Sequence, residues 1–403
     1  MQSNITFDHK QKIKDFYNNL KTLHEFCDLL NYCQKLLYSE IFIEFDESKI
    51  RDLSRINSKK RYYYFELPKK NGEMRVIHAP KKELKILLQC INCIFNCIYT
   101  PHESAYGFIQ NLSIVDGANL HLGSNYVFNI DLKDFFHSIE IGRILRRLNF
   151  YPFNLSEEYG RKEIGNYIAW LACENIEIEK KVDEQTEKKI KRVLPQGSPL
   201  SPILTNIICE RLDRKLLGLS RRFGVKYTRY ADDITFSSMH NVYQSDGIFR
   251  MEVEAIIKDQ YFTINQQKVR LQKSKVRQVV TGITVNKKMN VSKSYIKKLR
   301  LWINFWEKYG SQKAFTLFIK SYGDDKGYNK SLGSSTLFME NVIEGKLNFL
   351  KMVKGEHNTT YIKLKIRFEN LSSKNKLITE TLELWEKEGI ERAMEQYYKK
   401  VNK

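Results

Sequence analysis

Two adjacent acidic residues, Asp232 and Asp233, lie in the most informative stretch of this 403-residue chain. β-prone residues flank them on both sides, and this pattern predicts two strands joined by a tight turn. Adjacent carboxylates repel each other and are hard to desolvate, and a hard divalent cation such as Mg²⁺ relieves both difficulties. The alternative interpretation is an acidic pair on an exposed hairpin turn that binds no ligand.

A third carboxylate, Asp131, ends the apolar strand Phe128-Asn-Ile-Asp131. If this strand lies beside the Asp232 hairpin in one sheet, the three carboxylates face the same point. Two Mg²⁺ ions, roughly 3.5–4 Å apart, would fit between such carboxylates. Phosphoryl transfer consists mostly of positioning and charge neutralisation, so this set of ligands suits that chemistry.

Five segments of the sequence carry a resemblance to a known family. They are Ala118-Asn-Leu-His121, the Asp131 strand, Leu194-Pro-Gln-Gly-Ser-Pro-Leu-Ser-Pro202, Tyr230-Ala-Asp-Asp233 and Val280-Thr281-Gly282. The central three resemble, in order, the palm motifs of reverse transcriptases, and the outer two resemble marks of the retron branch. The resemblance covers about residues 61–300. It implies an α+β fold of the right-hand polymerase type, with fingers, an antiparallel-sheet palm and a helical thumb.

The resemblance divides the chain into three predicted parts. Residues 1–57 are an N-terminal helical extension, for which structural support and RNA contact both stay open. Residues 58–298 are the fingers and palm, and residues 299–403 are the helical thumb with a tail predicted as one charged amphipathic helix. The mixed charges of residues 174–192 predict an exposed insertion, either a hairpin or a helix.

A predicted β-hairpin near residue 70 resembles the fingers hairpin that holds the incoming triphosphate. Asn71-Gly72 is its turn signal. Arg75 is the main candidate for binding phosphate oxygens, because a guanidinium fork matches their geometry. Lys69 and Lys70 are weaker candidates.

Four further residues are assigned to the nucleotide site by the resemblance alone. Gln196 and Gly197 would line the base and sugar of the deoxynucleotide. Phe136 would block a ribose 2′-OH, although Phe135 is an alternative for this gate. Lys268 matches a lysine near the pyrophosphate leaving group, where it could donate a proton.

The charge of the chain predicts a polyanionic partner. Lys and Arg number 67 against 47 Asp and Glu, which gives a net charge of +20 and a pI near 9.4. Residues 263–300 contain no acidic side chain and are predicted to contact template–primer phosphates. The residues assigned to RNA or DNA binding are Lys293, Lys297, Lys298, Arg300 and His121. For His121 the alternative is a structural histidine with satisfied hydrogen bonds.

Other sequence features argue against a membrane protein and against a cysteine metal site. No apolar run approaches the ~20 residues of a spanning helix, and the first ten residues lack an apolar signal core, so a cytoplasmic protein without a membrane partner is expected. The chain has seven Cys, and an odd number without a secretion signal predicts free thiols. Cys90, Cys93 and Cys97 fall on one apolar helical stripe, which favours core packing over metal binding.

The resemblance implies an RNA-directed DNA polymerase that copies a cognate noncoding RNA with deoxynucleoside triphosphates and two Mg²⁺ ions. Its product would be branched, RNA-linked single-stranded DNA, held in part as an RNA–DNA hybrid, in antiphage defence with a separate effector protein. Two alternatives stay open: another bacterial defence or intron-type reverse transcriptase, and a non-catalytic RNA-binding scaffold. A second acidic motif, Tyr322-Gly-Asp-Asp325, lacks β-prone residues after it and is predicted to be non-catalytic.

Overall fold

The computed structural model describes residues 5–39, 43–55, 58–68, 72, 74–182, 185–326 and 336–401, which form two compact units. The first unit contains Met1–Leu67 and Met74–Thr281, and the second contains Pro68–Glu73 and Gly282–Lys403. The helices are α1 (Phe7–Asn19), α2 (Leu23–Leu37), α3 (Glu47–Arg55), α4 (Ser58–Arg61), α5 (Lys82–Ile98), α6 (Ile114–Asn119), α7 (Ile141–Leu148), α8 (Lys162–Ala172), α9 (Ser201–Arg222), α10 (Ile248–Asp259), α11 (Lys293–Lys326), α12 (Thr336–Lys354), α13 (Thr359–Glu369), α14 (Ser373–Glu388) and α15 (Ile390–Val401). The strands are β1 (Tyr62–Pro68), β2 (Met74–Pro80), β3 (Tyr126–Asp131), β4 (Glu174–Val182), β5 (Gln185–Val193), β6 (Lys226–Tyr230), β7 (Asp233–Ser238), β8 (Arg270–Lys273), β9 (Val279–Val280) and β10 (Ile283–Thr284).

The N-terminal helices belong to the core of the first unit. Thr6 and Thr22 cap α1 and α2 with reciprocal capping boxes, which satisfy the first backbone N–H groups of each helix. Tyr17 and Phe26 are fully buried in the same apolar core as α5. The Tyr17 hydroxyl donates to the Phe153 carbonyl at 2.9 Å. These contacts favour structural support as the role of this segment.

Helix α5 places its cysteine stripe inside that core. Cys90, Cys93 and Cys97 are all buried, as are the other four cysteines, and every one is a free thiol. Burial raises the pKa of the Cys90 thiol, so it stays protonated and behaves as a small apolar side chain. The prediction of core packing for these residues is confirmed.

A four-stranded antiparallel sheet forms the centre of the first unit, in the order β6-β7-β3-β8. Aromatic side chains from adjacent strands cover one of its faces. The Phe236 ring lies 5.1 Å from that of Tyr227 and 6.5 Å from that of Phe128, and Phe249 of α10 meets Phe236 edge-on at 5.2 Å. This packing fixes the register, because a shift by one residue would turn the aromatic face away from the core.

The insertion at residues 174–192 is a hairpin. β4 and β5 pair in continuous antiparallel register from Glu174–Val193 to Val182–Gln185. Ile190 on this hairpin is 70% exposed. Of the two alternatives from the sequence, the structure therefore supports the hairpin and excludes the helix.

The second unit is helical in its larger part. α11 has a kink at Gly310, and its buried Trp302 packs edge-on against Phe318, with ring centroids 5.0 Å apart. The prediction of one helix for the tail was wrong: Gly389, at φ 88°, ends α14, and α15 begins at the next residue. Along the described residues no helix has both the length and the apolar composition to cross a membrane.

Candidate active site

The acidic pair lies at the predicted strand–turn–strand. Tyr230 at the end of β6 pairs with Asp233 at the start of β7, so Ala231 and Asp232 form a two-residue turn. Ala231 has φ 55°, a left-handed conformation that is unfavourable for a residue with a Cβ by about 1 kcal/mol or more. The surrounding structure must therefore hold this turn in place.

The third carboxylate lies directly beside the pair. Asp131 of β3 and Asp233 of β7 are register partners across the antiparallel ladder. The Leu132 N–H donates to the Asp232 carbonyl at 3.0 Å, which extends the connection into the turn. Residues far apart in the chain thus meet at one edge of the sheet, as the sequence predicted.

Burial and the neighbouring carboxylates raise the pKa of both Asp232 and Asp233. Burial raises the pKa of Asp232, and the Asp131 carboxylate raises it further, while Lys268 and Arg75 act in the opposite direction. Burial and the neighbouring Asp232 raise the pKa of Asp233 to about 7. The Asp232 and Asp233 carboxyl groups are therefore harder to ionise than free aspartates, and a cation beside them would offset this.

Asp131 itself is held by two residues that follow α10. The Lys268 ammonium donates to both carboxylate oxygens, at 2.9 and 3.0 Å. The Asn265 side chain donates to Oδ1 at 3.3 Å, and the Asn265 backbone N–H donates to the Asp131 carbonyl at 2.8 Å. Lys268, predicted to lie near the leaving group, thus lies at the carboxylate cluster.

The donor set suits a hard divalent cation, although the side chains are not arranged as a closed cluster. The oxygen atoms of three carboxylates are ligands of the kind that Mg²⁺ takes. Within the described ranges, no group of three or more His, Cys, Asp or Glu side chains meets the geometry of a metal site. Both oxygens of the Asp131 carboxylate accept from the Lys268 ammonium instead.

The segment after β5 brings the predicted nucleotide-site residues next to the fingers strand β2. The His78 N–H donates to the Gln196 carbonyl at 2.8 Å. Gly197 has φ 121°, and a Cβ there would lie 2.7 Å from the His78 carbonyl oxygen, so only glycine fits this close approach. Gln196 is half-buried and Gly197 is exposed.

Phe136 and Phe135 occupy different environments after β3. Phe135 is 4% exposed and stacks on Phe262 at 5.6 Å, so it belongs to the core. Phe136 is half-buried, with Phe108 at 6.3 Å. The structure therefore favours Phe136 over Phe135 as the residue available to a nucleotide.

Arg75 lies on β2, is exposed, and its charge lowers the pKa of Asp232. Its predicted neighbours Lys69, Lys70 and Asn71 lie outside the described residues. Arg75 thus interacts electrostatically with the Asp232 carboxylate.

His121 has no access to a nucleic acid. Its side chain is fully buried between two strands, with Nδ1 2.8 Å from the Ser237 hydroxyl and Nε2 2.7 Å from the Thr228 hydroxyl. Burial lowers the pKa of His121 to about 3, so the ring is neutral. The predicted contact of His121 with RNA or template is wrong, and the structural alternative holds.

The basic residues assigned to nucleic-acid binding lie at the start of α11 in the second unit. Lys293, Lys297 and Arg300 are exposed and recur at helical spacing on one face, and Lys298 is half-buried. The decoy motif Tyr322-Gly-Asp-Asp325 lies within the same helix, so it has no strand–turn–strand geometry.

Sequence reasoning missed a set of buried polar residues that contact the Ala231–Asp232 turn. Arg229 of β6 and Asp213 of α9 are fully buried and paired, and Asn206 of α9 joins them. The signal in the sequence was Arg229 itself, a charged residue in the strand just before the acidic turn, where a buried side chain needs a partner of opposite charge.

The chain is similar to several known proteins. The family described as "Reverse transcriptase (RNA-dependent DNA polymerase)" matches residues 67–290. The retron Mx65 reverse transcriptase of Myxococcus xanthus is 34% identical over 254 residues, 61% of this chain and 56% of the relative. The retron Ec86 reverse transcriptase of Escherichia coli is 30% identical over 252 residues, 60% of this chain and 69% of the relative. A telomerase structure from Candida tropicalis, in complex with a TWJ fragment of telomeric RNA, matches with a TM-score of 0.41 and 13% identity over 85% of this chain and 64% of that one.

The antiparallel sheet, with three aspartates at one end of its two central strands, fits the right-hand polymerase fold, and the predicted α+β fold class is confirmed. The chain belongs to the reverse transcriptase family, and it is of the retron type. It spans about half the length of the Myxococcus relatives that it matches.

Proposed function

We propose that this chain is an RNA-directed DNA polymerase that copies a cognate noncoding RNA into RNA-linked single-stranded DNA. The observation that carries the proposal is the pairing of Asp131 with Asp233, next to Asp232 in the turn. Three adjacent carboxylates supply the oxygen ligands that two-metal nucleotidyl transfer needs. The match to the reverse transcriptase family and the similarity to retron enzymes support the same reaction.

In this proposal each site residue has one task. Asp131, Asp232 and Asp233 hold two Mg²⁺ ions, which would neutralise phosphate charge and lower the pKa of the attacking hydroxyl. Phe136 excludes a ribose 2′-OH by its bulk, so that deoxynucleotides are selected. Arg75 binds the triphosphate of the incoming deoxynucleotide, since a guanidinium pairs with phosphate oxygens through two hydrogen bonds.

The remaining nucleotide-site residues act around the leaving group and the base. Gln196 and Gly197 line the base and sugar, because the turn that carries them lies close to β2. Lys268 moves from Asp131 towards the pyrophosphate and donates a proton to it. An ammonium within reach of both a carboxylate and a phosphate can exchange one partner for the other.

The partners follow from charge and from the retron resemblance. A net charge of +20 and the exposed basic face of α11 support binding of the noncoding RNA and of the RNA–DNA hybrid. Antiphage defence with a separate effector protein, and a cytoplasmic location, complete the proposal.

Primer extension tests the catalytic part. The intact protein is expected to incorporate deoxynucleotides on poly(A)/oligo(dT) with Mg²⁺, and Asp232→Asn is expected to abolish this. Asp246→Asn makes the same chemical change at an exposed carboxylate and should leave incorporation unchanged. Absence of incorporation by the intact protein, both on this template and on its co-purified RNA, would favour the scaffold alternative.

Sequencing of the nucleic acid bound to the purified protein tests the retron part. The expected product is DNA covalently joined to RNA through a 2′ linkage, which survives treatment that separates hybridised strands. DNA without attached RNA would leave a polymerase of another reverse transcriptase class.

A further inference from the structure

A buried ion pair lies behind the catalytic turn. Arg229 of β6 and Asp213 of α9 are both fully buried. The guanidinium donates to the carboxylate through Nε at 2.8 Å and Nη2 at 2.7 Å, the two-pronged geometry of a strong pair. The Tyr227 hydroxyl donates to the same carboxylate at 2.7 Å. Buried charges are unfavourable unless fully paired, so these partners hold each other in one arrangement.

The remaining guanidinium contacts connect this pair to the turn. Nη1 of Arg229 donates to the Ala231 carbonyl at 3.2 Å, and Nη2 donates to the Asn206 side chain at 3.1 Å. Ala231 is the left-handed residue directly before Asp232. A single guanidinium thus links α9 to the backbone whose conformation sets the direction of the Asp232 side chain.

A second segment, residues 104–107, also contacts this turn and the strand that leads into it. The backbone of Ser104 and Tyr106 bonds to Arg229 in parallel fashion, with Arg229 N–H to Ser104 carbonyl and Tyr106 N–H to Arg229 carbonyl both at 2.8 Å. A Cβ added to Gly107 would lie 2.7 Å from the Ala231 nitrogen. Asn206, which accepts from Arg229, also donates to the Gly107 carbonyl at 2.9 Å. This segment and α9 therefore both contact the turn or the strand that leads into it.

We propose that Arg229 and Asp213 are positioning residues that hold the Ala231–Asp232 turn so that Asp232 and Asp233 stay aligned with Asp131. The inference rests on the proposed function, because alignment matters only if the carboxylates act together on one ligand. Ala231 has an unfavourable conformation, and the guanidinium contact to its carbonyl stabilises it against relaxation. The pair also fixes the carboxylate turn relative to α9. This helix begins just after the Gln196–Gly197 turn.

Arg229→Lys is the most informative variant. Lysine keeps a positive charge for Asp213, but a single ammonium cannot reproduce the fork that reaches both Asp213 and Ala231. We expect kcat for incorporation to fall roughly 10- to 100-fold, because small displacements of reacting groups have effects of this size. KM for the deoxynucleotide and affinity for template–primer should change little.

Arg147→Lys is the matched control. Arg147 donates to Glu210 of α9 at 2.7 Å and to the Tyr151 carbonyl at 2.9 Å, so it has the same types of partner without contact to the turn. Its kcat should stay near that of the unsubstituted protein. A triple variant, Arg229→Met with Asp213→Leu and Tyr227→Phe, removes the buried charges together and keeps the apolar volume. This variant should fold but show the kcat loss of Arg229→Lys.

Binding of Mn²⁺, followed by water-proton relaxation, gives a readout independent of activity. The signal that Asp232→Asn removes defines binding at the carboxylates, and Arg229→Lys should weaken it by about tenfold, as loss of an outer partner does at metal sites. If the unsubstituted protein binds Mn²⁺ in this way but does not polymerise, and Arg229→Lys weakens that binding while Arg147→Lys does not, the proposed function fails and the positioning role stands. Equal kcat and equal Mn²⁺ affinity for the Arg229→Lys and Arg147→Lys proteins would overturn the positioning role, as would absence of carboxylate-dependent Mn²⁺ binding in the unsubstituted protein.

Discussion

Asp131 and Asp233 face each other as register partners on adjacent antiparallel strands. The pairing brings like charges together, which is unfavourable in the protein alone and becomes favourable once a cation lies between them. The carboxylates of Asp131 and Asp233 thus repel each other at the point where the proposed chemistry needs a cation.

The contribution of Asp233 to protein stability in the absence of metal should fall as pH rises. Folding raises the pKa of Asp233 from 3.8 to about 7, chiefly through burial and then through Asp232. The folded state therefore binds this proton more tightly, and its stability relative to the unfolded state declines between about pH 4 and pH 7. Because a tenfold difference in proton affinity corresponds to ~1.4 kcal/mol, the difference in unfolding free energy between the unsubstituted protein and Asp233→Asn should change by on the order of 2–4 kcal/mol.

Chemical denaturation in EDTA at pH 5 and pH 8 measures this difference. Asp246→Asn, at an exposed carboxylate, should show no comparable change with pH. A pH-independent difference for Asp233→Asn would mean that Asp233 ionises normally in the folded protein.

Substitution of the palm carboxylates should separate them from the decoy motif. Asp131→Asn and Asp232→Asn are expected to lower the rate of incorporation by on the order of 10²–10³-fold or more, as loss of preorganised charge does in other active sites. The double variant Asp324→Asn with Asp325→Asn should retain activity, because that motif lies in α11. Single-nucleotide incorporation rates on one template–primer provide the comparison, and equal losses from both motifs would contradict the assignment.

The sequence predicted the site more completely than its surroundings. The β-prone flanks of Asp232 indicate the tight turn locally, whereas the pairing of the Asp131 strand with β7 joins segments far apart in the chain and was expected only from the order of the resembling motifs. The burial of His121 between Thr228 and Ser237 could not be predicted, since it depends on packing between segments far apart in the chain. Gly389 was a signal for the end of a helix in the tail. The charged helical pattern on both sides of it led to the prediction of one continuous helix.

Lys268 should have opposite effects on metal binding and on turnover. Its ammonium occupies both oxygens of Asp131, so a metal ion must displace it. Lys268→Met is therefore expected to lower the Mg²⁺ concentration for half-maximal activity while it also lowers kcat, since the proton donor to pyrophosphate is lost. Lys258→Met removes an exposed lysine from α10 and serves as the control. A lower Mg²⁺ requirement with unchanged kcat would assign Lys268 to Asp131 alone.

Phe136 should determine discrimination against ribonucleotides. Phe136→Val removes bulk beside the nucleotide site, and the ratio of kcat/KM for a deoxynucleotide to that for its ribonucleotide should fall roughly 10- to 100-fold. Phe135→Ala is the contrasting change, because Phe135 packs on Phe262 in the core. That change should cost about 3–5 kcal/mol of stability and leave the ratio unchanged in whatever protein remains folded. The reverse pattern would identify Phe135 as the gate.

Binding of nucleic acid should depend on salt through the exposed face of α11. Lys293, Lys297 and Arg300 lie at helical spacing, where each can neutralise one phosphate and release its counterion. Each substitution by Gln should weaken binding of an RNA–DNA hybrid and reduce the slope of log K against log salt by about 1. Lys320→Gln changes an exposed lysine elsewhere on the same helix and should leave the slope unaltered. Fluorescence anisotropy measures the binding constant at salt concentrations between about 50 and 300 mM, where such slopes can be determined. Equal slopes for the α11 variants and Lys320→Gln would show that the phosphates are bound by another surface.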